Sequence, residues 1–401
     1  MRLLIKTLKK LYSIFPKKLV FGLINPILIQ IVYTKKKKFQ AGPLTIAGML
    51  RAPTGLGKAA RLTLEALKLM KNKVTSFDVT YLFTDKNLDI KLPPAAAEGE
   101  GGVIIIQNNP IHIPIILFLI GKEKLKYKKI IMYALWELET IPNSWIAPCS
   151  LVHEIWVPSQ FILNAFQKSI KDKKIKLVPL FVTEFQKKEK QHKSNPSRST
   201  VVMLSICNIN SGFMRKNILE TIDVFKKLST QKEVVLIIHL TGIKGNEHYY
   251  DLIKNNIGNI DSIHISTDIL SEKELFGLID RADILLSLHR SEGFGLVLAE
   301  AMWLKKAIVA TGWSGNTTFL PKDCALYVDY KLVDVDDDQG IYMSGSKWAQ
   351  PNLEDAVQKL QLLIENPDLR KNLGKRAYEH ACKFFNKENF TKWIADSLEI
   401  K

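Results

Sequence analysis

The feature that most restricts this chain is an alternation of short strand-like runs with helix-like runs, broken once and then resumed. Before the break, Leu44–Gly48, Val74–Val79, Val103–Gln107, Lys129–Ala134 and Glu154–Val157 read as strands, and Gly57–Met70 reads as a helix. Several of these strands are unbroken Ile/Val runs, the pattern of strands covered by helices on both faces. After the break, strands at Val201–Ile206, Val234–Leu240, Ile263–Ser266, Ile284–Leu288 and Ala307–Ala310 interleave with helices at Asn217–Leu228, Tyr249–Asn255, Glu272–Ile279 and from near Gly295. Ser271 is the expected N-cap of the helix that follows it. Such alternation builds parallel βαβ units, so the expected fold class is α/β with two domains. The break, Thr183–Ser199, holds Lys187, Lys188, Lys190, Lys193, Arg198 and the turn-forming Asn195-Pro196-Ser197. It reads as an exposed linker. From Leu353 the tail reads as one or two amphipathic helices.

A chain of 401 residues with 46% apolar and 24% charged residues has an ordinary globular composition, which excludes global disorder. Its four cysteines form no CxxC pair, which argues against a disulfide framework or a cysteine zinc site and favours a reduced, cytoplasmic compartment. The net charge of +17 is concentrated at the start: residues 1–38 carry ten basic side chains and no acid, leaving +7 for all the rest. Leu4, Leu8, Leu11 and Phe15 recur at helical spacing among lysines until Pro16, and Lys35–Lys38 form a further basic run. Such a segment fits a cationic helix lying on an anionic membrane surface, or a helical extension packed on the first domain. Leu19–Tyr33 is too short, and too interrupted by Asn25, Pro26 and Gln30, to be read as a span.

Four motifs carry chemistry. Gly55-Leu56-Gly57 stands at a strand-to-helix junction, where glycine lets backbone amides approach a phosphate or sugar. Gly55-x-Gly57-x-x-Ala60, with Asp78 beyond it, also imitates a dinucleotide fingerprint, but Ala52 and Ala59 exclude a Walker A loop. Trp136-Glu137-Leu138-Glu139 follows an apolar strand, and its carboxylates suit sugar hydroxyls or a proton. Arg215-Lys216-Asn217 is read as opening a helix, where two cations complement a diphosphate. The fourth runs from Ser287 through His289, Arg290, Glu292, Gly293, Phe294, Gly295 and Leu296 to Glu300. Glu292 in the glycine loop and Glu300 eight residues on can hold a sugar hydroxyl and a ribose diol, while Gly293 and Gly295 open amides toward phosphates. Gly312-Trp313-Ser314-Gly315-Asn316 fits a ligand loop or a plain turn. The acidic run Asp334, Asp336, Asp337 and Asp338 lacks a calcium-loop pattern and reads as solvated, and the eight histidines show no HxxxH spacing. No metal site is expected.

The run from His289 to Glu300 resembles the signature of the retaining family-four glycosyltransferases. Further resemblances follow in order: Gly55-Leu-Gly57 with Arg61, Trp136-Glu-Leu-Glu139, Trp156-Val-Pro-Ser159, Arg215-Lys-Asn217 and Trp348-Ala-Gln-Pro351. Together they span about residues 42–390, and the nearest group looks like bacterial polysaccharide and lipopolysaccharide glycosyltransferases. The resemblance implies a GT-B fold, two Rossmann-like α/β domains facing a cleft, with C-terminal helices and a basic N-terminal helical extension. The corresponding divisions are 1–41 (basic amphipathic segment), 42–183 (acceptor-side domain), 184–199 (linker), 200–375 (nucleotide-sugar domain) and 376–401 (C-terminal helix, expected to pack back on the first domain).

It implies a hexosyltransferase that moves a hexose from GDP-mannose or a UDP-hexose to a glycan or lipid-linked acceptor in surface polysaccharide biosynthesis. The nucleotide-sugar is a co-substrate and no metal or other cofactor is required. Carried over by residue, Glu292 would contact the hexose and Glu300 the ribose. Phe294, Gly295 and Leu296 would offer backbone amides, Arg215 and Lys216 would neutralise the diphosphate, and Gly55 and Gly57 would approach the donor from the other domain. His289 and Gly293 complete the donor set. Relatives place a histidine near the reaction centre after the strand matching Lys129–Ala134. Trp136-Glu137 stands there instead, so Glu137, with His112 behind it, is the expected acceptor-side group. A nucleotide-sugar epimerase is the alternative enzyme, a nicotinamide enzyme rests on the Gly55 motif alone, and a basic nucleic-acid-binding protein is the non-enzymatic alternative. The reading favoured is a cytoplasmic enzyme, peripheral on the inner face of the membrane through residues 1–38, with no nucleic-acid partner.

Overall fold

The computed structural model describes residues 17–32, 39–84, 87–95, 97, 101–183, 200–229 and 234–398. The expected amphipathic run up to Phe15, the Lys35–Lys38 run and the linker 184–199 lie outside the described residues. The chain divides into two compact units, Met1–Phe181 with Lys387–Lys401, and Val182–Asn386.

The first unit is built on a six-stranded sheet: β1 (Leu44–Gly48), β2 (Val74–Asp78), β3 (Gly102–Gln107), β4 (Lys128–Tyr133), β5 (Glu154–Val157) and β6 (Lys174–Leu177). The strands run in the order β2-β1-β3-β4-β5-β6, and every pair is parallel. Parallel neighbours require crossover connections, which explains the helices between them. Ile104, Ile105 and Ile106 of β3 are all essentially inaccessible, as a strand with both faces covered demands. Between β1 and β2 the helix Gly55–Lys68 starts at Thr54, whose hydroxyl accepts from Gly57 N at 3.2 Å. Its buried stripe of Ala59, Ala60, Leu64 and Leu67 lies against the sheet. The chain order reverses between β1 and β3, so the loops after these two strands flank the switch point.

The second unit repeats the plan with β7 (Val201–Asn208), β8 (Val234–Thr241), β9 (Ile263–Ser266), β10 (Ile284–Ser287), β11 (Ala307–Thr311) and β12 (Leu326–Val328). Their order is β12-β11-β10-β7-β8-β9, again parallel, with the switch point between β7 and β10. Ser271 caps the helix Glu272–Arg281 in a reciprocal capping box with Glu274. An antiparallel hairpin of β13 (Tyr330–Asp334) and β14 (Lys347–Pro351) follows. The acidic run crosses its first strand and tip, where the Asp337 carboxylate accepts from Ile341 N and Tyr342 N rather than standing in solvent.

Two expectations change at the C-terminus. The tail is three helices, Leu353–Glu365, Pro367–Phe384 and Lys387–Leu398. A boundary at 375/376 would fall inside the second of them, because the helix is continuous there. It is Lys387–Leu398 that joins the first unit: Phe390 meets Phe181 at 4.8 Å between ring centroids, and Lys176 Nζ donates to Ser397 O at 2.6 Å. Helices at Ile113–Ile120 and Gln160–Ser169 and the strand β6 were not read from the sequence, and the expected helical extension is described over Lys17–Val32, packed on the first unit. No described helix is long and apolar enough to cross a membrane.

Candidate functional site

The loops after β7, β10 and β11 lie side by side at the carboxyl end of the second sheet, because those strands are neighbours. After β7 the chain forms a short helix, Phe213–Lys216, and Asn217 then takes a left-handed conformation (φ 58°) before the helix Ile218–Lys226. Arg215 and Lys216 therefore close a single turn instead of opening a helix, which corrects the sequence reading. Asn217 is one of the few residue types that adopt this conformation at small cost. Its amide is tied to Glu220 at 2.6 Å and to Leu288 O at 3.0 Å. The break turns the two cations toward the loop after β10.

There they meet Glu292. Lys216 Nζ lies 2.5 Å and Arg215 Nη1 3.2 Å from Glu292 Oε1. Arg215 is buried and also donates to Ser291 O at 2.6 Å and Ser211 O at 2.7 Å, so its orientation is fixed by the backbone of both loops. Lys216 keeps 19% of its side chain accessible, against 3% for Arg215. It is therefore the cation with more room to meet a ligand. Burial alone would raise the Glu292 carboxyl. Lys216 and then Arg215 overcome it and hold the group at about 2.

The loop after β11 braces this arrangement. Ser314, at φ 79°, accepts from Glu292 N at 2.8 Å, and Gly315 N donates to Glu292 O at 2.8 Å. A Cβ on Gly315 would lie 2.0 Å from Gly293 O, so only glycine permits that approach. His289 is fully buried, with Ser287 Oγ at 3.0 Å from Nδ1 and Asn316 Oδ1 at 3.2 Å from Nε2. Burial lowers its pKa to about 4 despite the nearby Glu292. A neutral ring engaged on both nitrogens positions the loop, which differs from the donor contact the sequence suggested.

Of the remaining donor-set residues, Gly295 (φ 96°) caps the helix Leu296–Trp303. The Phe294 ring is in the core against Phe319, at 4.6 Å between centroids. Leu296 is half-buried in the helix's first turn, and Glu300 lies inside the helix at 1% exposure. Arg215, Lys216 and Glu292 thus make direct contact, with Glu300 on the element that their loop opens.

Sequence reasoning missed a supporting network. Arg290 Nη2 meets Glu220 at 3.2 Å, its Nε donates to Gln350 at 3.1 Å, and its guanidinium lies 5.4 Å from the Trp348 ring. Gln350 in turn donates to Glu220. Trp348-Ala-Gln-Pro351 was visible as a motif, yet only the hairpin's placement shows that it holds Arg290.

In the first unit, Gly55 and Gly57 follow β1, His112 follows β3 and Glu137 follows β4, all at the same end of the sheet. A Cβ on Gly57 would lie 2.3 Å from Ala52 O, and Arg61 donates to Ala52 O at 2.9 Å. His112 Nδ1 is 2.7 Å from the buried Asn108 Oδ1. Glu137 is half-buried between Trp136, whose indole donates to Thr140 O at 2.7 Å, and the buried Leu138. Asp78, the ribose partner that a dinucleotide fingerprint needs, instead receives Thr80 Oγ1 at 2.6 Å and faces Arg51. Among the described residues no group of three or more His, Cys, Asp and Glu is arranged to hold a metal ion.

Residues 186–322 match the family model described as glycosyl transferases group 1. Trehalose synthase of Thermococcus litoralis is 26% identical over 194 residues, 46% of this chain and 40% of that protein. The chain thus spans well under half the length of that curated relative. The structure resembles Anabaena HepE in complex with UDP and glucose (TM-score 0.64, 13% identity, 89% of this chain and 99% of the other). It also resembles sucrose-phosphate synthase from Thermosynechococcus elongatus (TM-score 0.66, 13% identity, 89% and 98%). At these identities the likeness establishes the fold, which is the GT-B arrangement of two Rossmann-like parallel-sheet domains. Residues 186–322 thus carry the likeness to the group 1 glycosyl transferases, within a chain of GT-B fold.

Proposed function

We propose that the protein transfers a hexose from a nucleoside-diphosphate sugar, GDP-mannose or a UDP-hexose, to a glycan or lipid-linked acceptor of a surface polysaccharide such as lipopolysaccharide. The observation that carries this reading is the contact of Arg215 and Lys216 with Glu292 at the switch point of the second sheet, where α/β folds bind ligands.

When the bond from the anomeric carbon to phosphate breaks, negative charge grows on the diphosphate. Fixed cations stabilise that charge without reorganising at the moment of reaction. Arg215, immobilised by Ser211 and Ser291, supplies a stationary positive charge. Lys216 can exchange its Glu292 contact for a diphosphate oxygen. Glu292, ionised at neutral pH, then accepts from a hexose hydroxyl, and Glu300 faces the ribose. The amides of the helix beginning at Leu296, reached through Gly293, Phe294 and Gly295, add positive potential.

These two cations take the place of a divalent metal in the proposal. The acceptor hydroxyl attacks on the face that the diphosphate leaves, with retention of configuration. Its proton passes to the departing phosphate, and Glu137, with His112 nearby, orients the acceptor. A peripheral position on the inner face of the cytoplasmic membrane belongs to the same proposal, supported by the ten basic residues within 1–38.

A thermal-shift screen of nucleotide sugars tests the reading. The cognate donor at 100 times its dissociation constant should add about 2.7 kcal/mol to stability. Transfer should persist in excess EDTA. Stabilisation by none of the GDP- or UDP-hexoses would refute the reading, and a metal-reversible loss of transfer would refute its metal-free part.

A further inference from the structure

Residues 17–32 form one helix, Lys17–Val32, whose two sides differ sharply from Gly22 onward. One side is held by the first unit. Leu28 and Val32 are buried, Asn25 Nδ2 donates to Ile111 O at 2.9 Å, and the helix packs against Ile113–Ile120. The opposite side carries Leu23, Ile27 and Ile31 at 68%, 60% and 43% exposure. Their spacing of four residues puts them in one stripe along about two and a half turns. Gly22, Pro26 and Gln30 border the stripe and are exposed too. No charged residue occurs between Lys18 and Lys35.

A surface helix of a water-soluble domain ordinarily turns charge outward. This one turns aliphatic side chains outward, while the sequence on either side of it is basic and free of acids. Apolar residues flanked by lysines are complementary to one kind of surface, the interface of an anionic bilayer, where side chains enter the acyl boundary and ammonium groups meet head groups. A nucleic acid would use the lysines and leave the stripe in water. A second copy would bring the same positive charge against itself.

We propose that Leu23, Ile27 and Ile31 are a membrane-insertion face that seats the first unit on anionic lipid. The helix is fixed to Ile111, in the turn Pro110–His112 that follows β3 at the carboxyl end of the sheet. Docking therefore brings the end of the sheet that carries His112 and Glu137 toward the lipid. Within the proposed glycosyl transfer, on which this part rests, the acceptor is then one presented from the bilayer.

The test is co-sedimentation of the full chain with phosphatidylcholine vesicles, with and without phosphatidylglycerol, for the wild type and the triple variant L23Q/I27Q/I31Q. The wild type should bind the phosphatidylglycerol vesicles, less so as salt rises, and the variant should bind about tenfold more weakly or worse. Donor-induced thermal stabilisation should be the same in both, which separates failure here from failure of the glycosyl-transfer reading. If the variant does not fold, Ile27→Cys in a Cys382→Ser background, carrying an environment-sensitive dye, should change emission on adding anionic vesicles.

Equal vesicle binding by wild type and variant, or no response from the dye, overturns the proposal. So does a wild-type dimer that the triple variant dissolves, which would make a second copy the occupant. Binding of RNA with no binding of vesicles overturns it equally.

Discussion

Lys216 Nζ stands 2.5 Å from Glu292 Oε1 although 76 residues separate them in the chain. The contact exists because β7 and β10 are adjacent strands and because Asn217 interrupts the helix that would otherwise carry Lys216 onward. It sets the charge state of the carboxylate. Lys216→Met should therefore raise the Glu292 pKa clearly above about 2, since the first of the two opposing cations is gone and burial then weighs more. A carbon-13 titration of the glutamate carboxyls should show this, and an unmoved value would contradict the electrostatic account.

The brace between the loops after β10 and β11 depends on a backbone approach that no side chain tolerates. Gly315→Ala would place a methyl group against Gly293 O. The expected cost is about 2 kcal/mol or more in urea unfolding, with donor-induced stabilisation lost. An alanine variant with unchanged donor response would mean that the brace does not shape the site.

Much of the fold was legible in the sequence where one local rule governs. The strand Glu154–Val157 and the Ser271 cap follow from an apolar run and from a capping pattern. The run Ile113–Ile120 was not legible, because an entirely apolar stretch fits a buried strand as well as a buried helix. Glu292, Arg215 and Lys216 were legible as candidates by residue type and spacing. Their mutual contact was not, since it depends on the order of strands and on the left-handed Asn217. The support by Ser314, Arg290 and Gln350 is tertiary throughout, and no local signal announces it.

His289 gives the stability a pH dependence. Its pKa is lowered from 6.5 to about 4, so between these values the unfolded chain binds a proton that the folded chain refuses. Stability should therefore fall as pH falls through that window, by up to about 1.4 kcal/mol per pH unit. Glu292, held at about 2 against an ordinary 4.5, adds a loss of the same sign at lower pH. In His289→Asn the upper part of the decline should disappear from urea unfolding measured between pH 7 and pH 4. An unchanged decline would mean that another group carries it.

Glu154 is a buried carboxylate of the first sheet, 2.9 Å from Lys129 and 3.2 Å from Lys176 on the flanking strands β4 and β6. Its Oε1 also accepts from Trp156 Nε1 at 2.7 Å. Glu154→Ala would leave two like charges facing one another across β5. Both lysines retain some access to water, so the expected loss is about 2–3 kcal/mol, below the figure for a fully buried pair. A loss under about 0.5 kcal/mol would show that the lysines find solvent without strain.

The most direct test of the central claim, that the Arg215–Lys216–Glu292 cluster activates a nucleoside-diphosphate hexose, is the rate of hexose transfer by Glu292→Ala under saturating donor and acceptor. The account expects a loss of about 100-fold or more, a few kcal/mol of transition-state stabilisation, in a protein that is less stable than the wild type, since Arg215 and Lys216 lose their shared carboxylate, yet still folded at the assay temperature. Transfer at the wild-type rate by a folded Glu292→Ala protein would contradict it.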